Sequence, residues 1–255
     1  MKGFLQEYGI IMVVVAVVLG MLAFGKTGYA KSIQDAILGS TDHIVETGQN
    51  ITKKEVYVTP GDTLDIEGTK YVVLEQKENN QALVMTASSI GDRAFQSKAR
   101  ADKQNMSTYE GSEIDNYLEN NWYKGLSAKM RNAIQTTSIK QASYMAYDDH
   151  ESMQETGPNE QVYNTISRHV FLPGVGDISK VVNLKDADKV QAFLNGISIW
   201  TRDSYQGFAN FGEILDAHEG SLHLATLDIN GGIRPAFVID LSQVDYTEAG
   251  HVDYK

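Results

Sequence analysis

The chain has no cysteine among its 255 residues. Thiol catalysis, disulfide bonds and zinc sites with cysteine ligands are therefore excluded. Positive charge is also scarce, because 22 Lys and Arg residues stand against 33 Asp and Glu residues, for a formal net charge of −11. A nucleic-acid-binding protein needs a basic face, so we expect no nucleic acid among the partners of this protein.

The sequence lacks the short motifs of several common catalytic sites. It contains no Gly-x-Ser-x-Gly nucleophile elbow and no dinucleotide fingerprint. Paired carboxylates for glycoside hydrolysis meet only in space, and no pair stands out among the 33 acids. We therefore expect a protein that is not an enzyme and holds no cofactor, while an enzyme acting on cell-wall glycans stays a rival hypothesis.

Three stretches offer side chains of the kinds that bind metals. His218 and His223 lie five residues apart in "DAHEGSLH", whereas zinc proteases use a spacing of four. The stretches "YDDHES" at 147–152 and "LDINGG" at 227–232 carry oxygen ligands without the order of a calcium loop. We interpret the first two stretches as polar loops and the Asn-Gly pair as a hairpin turn, and we expect no metal site.

The first 50 residues contain no proline and show two successive helical patterns. Residues 9–25 form an uncharged run of about 17 residues, near the lower limit for a helix that crosses a bilayer. After this run, Ile33, Ile37 and Ile44 recur at helical spacing among charged residues. We expect residues 1–50 to form one long α-helix, hydrophobic in its first half and amphipathic in its second.

Residues 51–255 are expected to form a separate globular domain, so that the chain as a whole is of the α+β class. A β-meander is predicted from "EVYVT", "TLDIEG", "TKYVVLEQK" and "QALVMTAS", which are separated by turn residues. Ser112 and Ser127 are each placed to cap a short helix. Later strands are predicted in "SIWTRDS", "LHLATLDING" and "IRPAFVIDLS". The expected domain is compact, mixed and mainly antiparallel, with two short helices.

An aromatic and cationic cluster in "IWTRDSY" is the candidate ligand surface of this domain. Trp200, Arg202 and Tyr205 are residue types that contact sugars or peptides. The alternative is a role in the core, with Trp200 and Arg202 on the same face of a strand. Arg234 lies next to Pro235 in a strand-like run, and we expect it to hydrogen-bond neighbouring backbone rather than a ligand.

Five segments resemble, in their order, a bacterial domain family of unknown function: "YVVLEQ", "SEIDNYLENNWYKGLSAKMRNAI", "VFLPG", "IWTRDS" and "GGIRPAFVI". That family is frequent in surface, phage-associated and mobile-element proteins. The resemblance implies a fold similar to C-type lectins or to formylglycine-generating enzymes. The enzymatic branch of that fold uses cysteines, which this chain lacks, so the resemblance implies a binding or display domain.

The stretch "GFLQEYGIIMVVVAVV" resembles the signal and core helix of type IV-like pilins of the Flp/Tad group. It places Gly3, Glu7 and Tyr8 ahead of the apolar run, where an acid in a bilayer is costly and usually functional. The resemblance implies cleavage by a prepilin peptidase and pairing of Glu7 with the N-terminal amine of a neighbouring subunit. Cleavage after Lys2 would make Glu7 the fifth residue, whereas cleavage after Gly3 would leave Phe4 first and Glu7 fourth.

These resemblances together imply a pilin-like subunit of an extracellular bacterial filament. The protein would be inserted in the cytoplasmic membrane, processed, and then polymerised with itself by the pilus assembly machinery through its N-terminal helix. Its globular head would be displayed for surface contact or adhesion. Two alternatives stay open: a single-pass, membrane-anchored glycan-binding protein of the cell surface, and a secretory signal peptide ending near Ala30.

Overall fold

The computed structural model describes residues 56–98, 107–143, 161–204 and 211–255. These residues belong to one compact unit, Glu55–Lys255, which contains three β-sheets and several short helices. The segment 1–50, for which a long hydrophobic helix was predicted, lies outside the described residues.

The strands are β1 Asp62–Ile66, β2 Thr69–Gln76, β3 Gln81–Thr86, β4 Asp92–Ala94, β5 Ile134–Gln135, β6 Thr137–Ser143, β7 Gln161–Arg168, β8 Ile199–Trp200, β9 Phe211–Asp216, β10 Ser221–Thr226, β11 Asn230–Gly232, β12 Ala236–Asp240 and β13 Tyr246–His251. The helices are α1 Glu113–Tyr117, α2 Tyr123–Gly125, α3 Ala128–Ala133, α4 Val175–Ile178 and α5 Ala187–Leu194. A π-helical turn, Leu118–Trp122, joins α1 to α2, and a 3₁₀ turn, Leu241–Gln243, follows β12.

The predicted fold class is wrong. The described residues form mostly antiparallel sheets with several short helices, rather than a lectin-like domain with two helices. The longest of the described helices, α5, has eight residues. No helix in the described ranges has the length and apolar character needed to cross a membrane. Such short helices owe their stability to caps and to packing against the sheets, because isolated helices of this length are unstable in water.

The largest sheet has six strands in the order β13-β1-β2-β3-β12-β5, and each neighbouring pair is antiparallel. Its central strands are buried on both faces, so that four consecutive residues of β2, from Tyr71 to Leu74, and all five residues of β12 are buried. Strands covered on both sides have continuous apolar runs rather than alternation. The edge strand β13 is largely exposed and correspondingly polar.

The second sheet has five strands in the order β10-β9-β8-β11-β4 and is organised around Trp200. Its β8–β11 pair is parallel, and the other pairs are antiparallel. Trp200 has no exposed surface, and its ring lies edge-on to Phe95 with the centroids 5.6 Å apart. The indole Nε1–H donates a hydrogen bond of 2.9 Å to the carbonyl of Arg93, which satisfies the one polar group of this side chain.

The third sheet is an antiparallel ribbon of β6 and β7, with a register shift between Gln141 and Ala142. Ile139 and Ala142 of β6 are buried, whereas Ser138 and Lys140 are exposed. A ribbon of two strands is marginally stable alone, so its placement depends on contacts outside the ribbon.

Serine caps begin the two helices that cover part of the six-stranded sheet. The Ser112 hydroxyl accepts the Asp115 N–H at 3.1 Å, and the Ser127 hydroxyl accepts the Met130 N–H at 3.0 Å. In the π turn after α1, Trp122 packs against Phe237 of β12 with ring centroids 6.1 Å apart. Both predicted caps are confirmed.

We expect Gly231→Ala to destabilise the domain by roughly 1–3 kcal/mol, as overpacked cores do. A Cβ at Gly231 would lie 2.9 Å from Trp200 Nε1 and 3.0 Å from Ile214 Cδ1, so the indole would have to move away from its hydrogen-bond acceptor. Urea unfolding followed by tryptophan fluorescence measures the loss. Gly125→Ala is the matched control, since a Cβ there meets no atom within 4 Å; an equal loss in both variants would contradict this account of Trp200 packing.

Candidate functional site

The predicted ligand cluster "IWTRDSY" divides between the core and the edge of a groove. Trp200 is fully buried in the five-stranded sheet. Arg202 follows β8 and is 7% exposed, and it lines a groove described below. Tyr205 lies outside the described residues, as do the predicted processing residues Lys2, Gly3, Phe4, Glu7 and Tyr8.

The Arg202 guanidinium joins three parts of the chain. Its Nε–H donates to the Lys140 carbonyl of β6 at 2.5 Å, and its Nη1 donates to the Leu172 carbonyl at 3.1 Å. Nη1 also donates to Asp177 Oδ2 in α4, at 2.5 Å. Hydrogen bonds between charged groups are the strong ones in a buried setting, so this side chain fixes the ribbon against α4.

The next residue, Asp203, contacts the same segments by accepting hydrogen bonds. We call the contacts of Arg202 and Asp203 the Arg202 junction. Its two carboxylate oxygens accept the Ala142 N–H at 2.9 Å and the Val175 N–H at 2.6 Å. Burial raises the pKa of Asp203 to about 6, against the opposing effects of Arg202 and of these two N–H groups. The carboxylate is therefore ionised at neutral pH and balances part of the Arg202 charge.

Asp177 is the other partner of the buried guanidinium. Burial by itself raises the pKa of Asp177, but Arg202 lowers it more strongly through charge and through its hydrogen bond, and the Gly174 N–H adds to this effect. The net result is a pKa below the ordinary value. Burial likewise lowers the pKa of Arg202, while Asp177 and Asp203 raise it above its usual range, so the pair is charged at neutral pH.

A groove of about 280 Å³ lies beside this junction, and we call it the basic groove. Six charged side chains line it: Glu75, Lys77, Lys140, Asp177, Lys180 and Arg202. They come from β2, β6, α4 and the segments that follow β2, α4 and β8. Leu83 and Val238 from the six-stranded sheet supply apolar surface, and Thr137 and Ser138 from β6 supply polar surface.

The charges of the groove are partly paired. Glu75 Oε2 lies 2.9 Å from Lys77 Nζ and 2.8 Å from Lys180 Nζ. Lys180 Nζ is also 3.8 Å from Asp177 Oδ1. Burial raises the pKa of Glu75, but the two lysines lower it by more, so that its pKa is below the ordinary value. Lys140 is exposed and forms no ion pair with any residue in the described ranges.

Arg234 lies apart from the groove and has a structural role. Its Nε–H donates to the Thr86 carbonyl at 2.7 Å, and its Nη1 donates to the Phe193 carbonyl at 3.0 Å. The prediction that this side chain hydrogen-bonds backbone is therefore confirmed. Burial lowers the pKa of Arg234 to about 10, which still leaves the side chain charged at neutral pH.

The histidine stretch forms a turn between β9 and β10. Asp216 Oδ1 accepts the N–H groups of His218 and Glu219, both at 2.8 Å, and His223 Nε2 lies 2.8 Å from the Ser221 hydroxyl. Among the residues that the structure describes, no three His, Asp or Glu side chains are grouped so as to hold a metal ion. The acidic stretch 147–152 lies outside them.

Residues 20–27, "GMLAFGKT", match the spacing of a phosphate-binding loop. That motif requires a preceding strand and a following helix, whereas here it overlaps the end of the uncharged run 9–25. The stretch also lies outside the described residues and therefore adds no site to the structure.

A second charged cluster lies at the end of β7 and was not indicated by sequence. His169 Nδ1 is 2.5 Å from Glu119 Oε1, His169 Nε2 is 3.1 Å from the Thr136 hydroxyl, and the imidazole stacks on Tyr123. Glu119 Oε2 also accepts the backbone N–H of His169 at 3.2 Å. These contacts tie the π turn and α2 to the end of the ribbon.

The described part of the chain is thus a mainly antiparallel β domain with a charged groove beside a buried arginine. Residues 79–241 match the family DUF6273, described as a domain of unknown function, and this match covers more than half of the chain. The protein therefore belongs to that family, and the resemblance to a domain of unknown function is confirmed. No curated protein and no solved structure matches the chain.

The family match does not include the whole of the folded unit. Strands β1 and β2 precede it and β13 follows it, although all three belong to the six-stranded sheet. Glu75 and Lys77 of the groove also precede the matched range, whereas Lys140, Asp177 and Arg202 fall inside it.

We expect Asp177→Asn to lower the free energy of unfolding by roughly 3 kcal/mol at neutral pH, because it removes one charge partner of a buried guanidinium. Since the pKa of Asp177 is lowered by folding, its stabilising contribution is complete above the unfolded pKa of about 3.9. The contribution disappears as the pH falls through the lower, folded-state pKa. Urea unfolding of both proteins over a pH series measures this difference.

Asp92→Asn is the control for that comparison, since Asp92 is exposed on β4. The difference between the wild type and Asp177→Asn should shrink as the pH falls below about 4. A difference that does not vary with pH, or an equal loss in Asp92→Asn, would show that the ion pair does not stabilise the domain.

Proposed function

We propose that the protein is a pilin-like subunit of an extracellular bacterial filament, with its DUF6273 domain displayed as the head. The observation that carries the proposal is the N-terminal pattern, in which Gly3, Glu7 and Tyr8 precede the uncharged run 9–25. A plain secretory signal has no use for an acid at this position, whereas a polymer in which the acid meets an amine does.

The proposed assembly follows from the cost of a buried charge. Glu7 would enter the apolar interior of the filament together with the run 9–25, and an unpaired carboxylate there would be strongly unfavourable. Removal of the first two or three residues by a prepilin peptidase would create an amine, and Glu7 would pair with the amine of a neighbouring subunit. Self-association in one register would then neutralise both charges.

The head supports a display role. Residues 55–255 form a compact unit with its own core, as a domain held at the end of an assembly segment requires. Its most prominent polar features are the Arg202 junction and the groove beside it. They are typical of a binding surface rather than of a catalytic site, which would pair a nucleophile with a base. We propose that the protein is first inserted in the cytoplasmic membrane and then presented at the cell surface.

The test compares Glu7→Ala and Glu7→Gln with the neighbouring control Gln6→Ala in cells that make the full chain. If the carboxylate pairs with an amine, both Glu7 variants should lose assembled material by on the order of 100-fold, because an unpaired buried amine costs about 3 kcal/mol. Negative-stain microscopy of shed surface material measures filaments, and N-terminal sequencing identifies the mature end. Gln6→Ala should assemble normally.

The outcomes separate assembly from simple anchoring. A full-length, unprocessed N-terminus without any polymer would overturn the filament proposal. Wild-type behaviour of both Glu7 variants would instead favour a single-pass, membrane-anchored protein whose head binds a ligand. In neither case does the measurement depend on knowing what the head binds.

A further inference from the structure

We propose that the basic groove binds the carboxylate of an acidic saccharide, one or two sugar residues of the uronic acid class in size. This inference deepens the display role proposed above, because it assigns a class of ligand to the displayed head. It is carried by four observations on the groove: its charge, the way its arginine is held, its main-chain edge and its size.

The first observation is a local excess of positive charge. The chain has a formal net charge of −11, yet four cationic side chains line the groove against two carboxylates. In an acidic protein, a concave site of opposite sign concentrates anions from solution. The cation with most freedom to meet a ligand is Lys140, which is exposed and makes no ion pair within the described residues.

The second observation is that Arg202 is held rigidly while keeping donor capacity. All the hydrogen bonds that it makes to described residues start from Nε and Nη1. Its Nη2 group therefore has no acceptor in the described part of the chain, and the side chain is only 7% exposed. A guanidinium that is fixed before binding loses little entropy when it donates hydrogen bonds to a carboxylate.

The third observation is that little free strand edge faces the groove. Beside the groove, three main-chain groups of β6 are already occupied: Lys140 O by Arg202, Ala142 N–H by Asp203, and Ala142 O by the Ser204 N–H at 3.2 Å. Strands β2 and β3 are paired on both sides. An extended peptide would gain its affinity from a free strand edge, so these contacts favour recognition by side chains.

The fourth observation is the size and polarity of the groove. A volume of about 280 Å³ is at the small end of ligand sites and suits one or two sugar rings better than a long acidic chain. Thr137 and Ser138 line the groove with hydroxyl groups, and Leu83 and Val238 add an apolar patch. A lining that combines hydroxyl groups with apolar carbon matches the two kinds of surface that a sugar ring presents.

The test is calorimetric titration of the full chain in detergent micelles with glucuronic acid, with glucose as the neutral sugar of the same ring. We expect glucuronic acid to bind at least about tenfold more tightly, since the two sugars differ by one charge-assisted contact. Salt near 1 M, where the screening length falls to about 3 Å, should weaken the binding of glucuronic acid but not that of glucose.

Lys140→Gln and Lys70→Gln form the matched pair of variants. Both lysines are exposed on strands, but only Lys140 lines the groove. Lys140→Gln should weaken glucuronic acid binding about tenfold, whereas Lys70→Gln should leave it unchanged. The change leaves the Lys140 carbonyl in place for Arg202, and near-UV circular dichroism verifies that both variants are folded.

Several results would overturn the proposal: no binding of glucuronic acid, equal binding of glucose, or an equal loss in both variants. Tighter binding of tetraglutamate than of glucuronic acid would assign the groove to acidic peptides instead. Failure here is distinguishable from failure of the filament proposal. The titration measures sugar binding by the head of the wild-type chain, whereas the filament proposal is tested by the assembly of the Glu7 variants.

Discussion

The buried Arg202 guanidinium is the interaction on which the arrangement of this domain depends. It donates hydrogen bonds to the carbonyls of Lys140 and Leu172 and to the carboxylate of Asp177. These three groups come from segments that do not pair with one another in a sheet. Asp203 adds the N–H groups of Ala142 and Val175. Two consecutive residues after β8 thereby fasten the β6–β7 ribbon to α4. A ribbon that is marginally stable alone is held by charge-assisted hydrogen bonds rather than by pairing with a strand of another sheet.

The same junction explains why a structural arginine can also belong to a binding surface. A buried ion pair is expensive to desolvate, and apolar residues of similar volume often stabilise a core as well or better. Retaining Arg202, Asp177 and Asp203 here gives the adjoining groove a rigid, charged wall. Lys140 connects the two roles, because its carbonyl belongs to the junction while its side chain lines the groove.

Sequence reasoning succeeded where the determining interactions are local. The meander of β1, β2 and β3 is confirmed, as are the caps at Ser112 and Ser127, because alternation, turn residues and hydroxyl acceptors act within a few residues. The segment "EVYVT" has strand-like composition, but its described residues, 56–59, form no strand. The Asn-Gly pair predicted as a hairpin turn lies in β11 instead, where β4 and β8 flank it.

The fold class was wrong because helix number and length are set by packing. One helical pattern from 113 to 125 is interrupted by a π turn, and α4 and α5 cover sheets whose positions could not be inferred from their own residues. Trp200 shows the same limit. Strand alternation predicted one exposed and one buried face, but Ile199 and Trp200 are both buried because both faces of β8 are covered.

The sequence by itself determined the absence of thiol chemistry, the acidic balance, the family and the N-terminal pattern on which the filament proposal rests. Only the tertiary structure decided that Arg202 meets Asp177, 25 residues away, and Lys140, 62 residues away, and that a cationic groove forms beside them. The physical reason is the range of the forces. Caps, turns and periodicity are encoded within a few residues, whereas a buried ion pair acquires its partners only when distant strands are packed together.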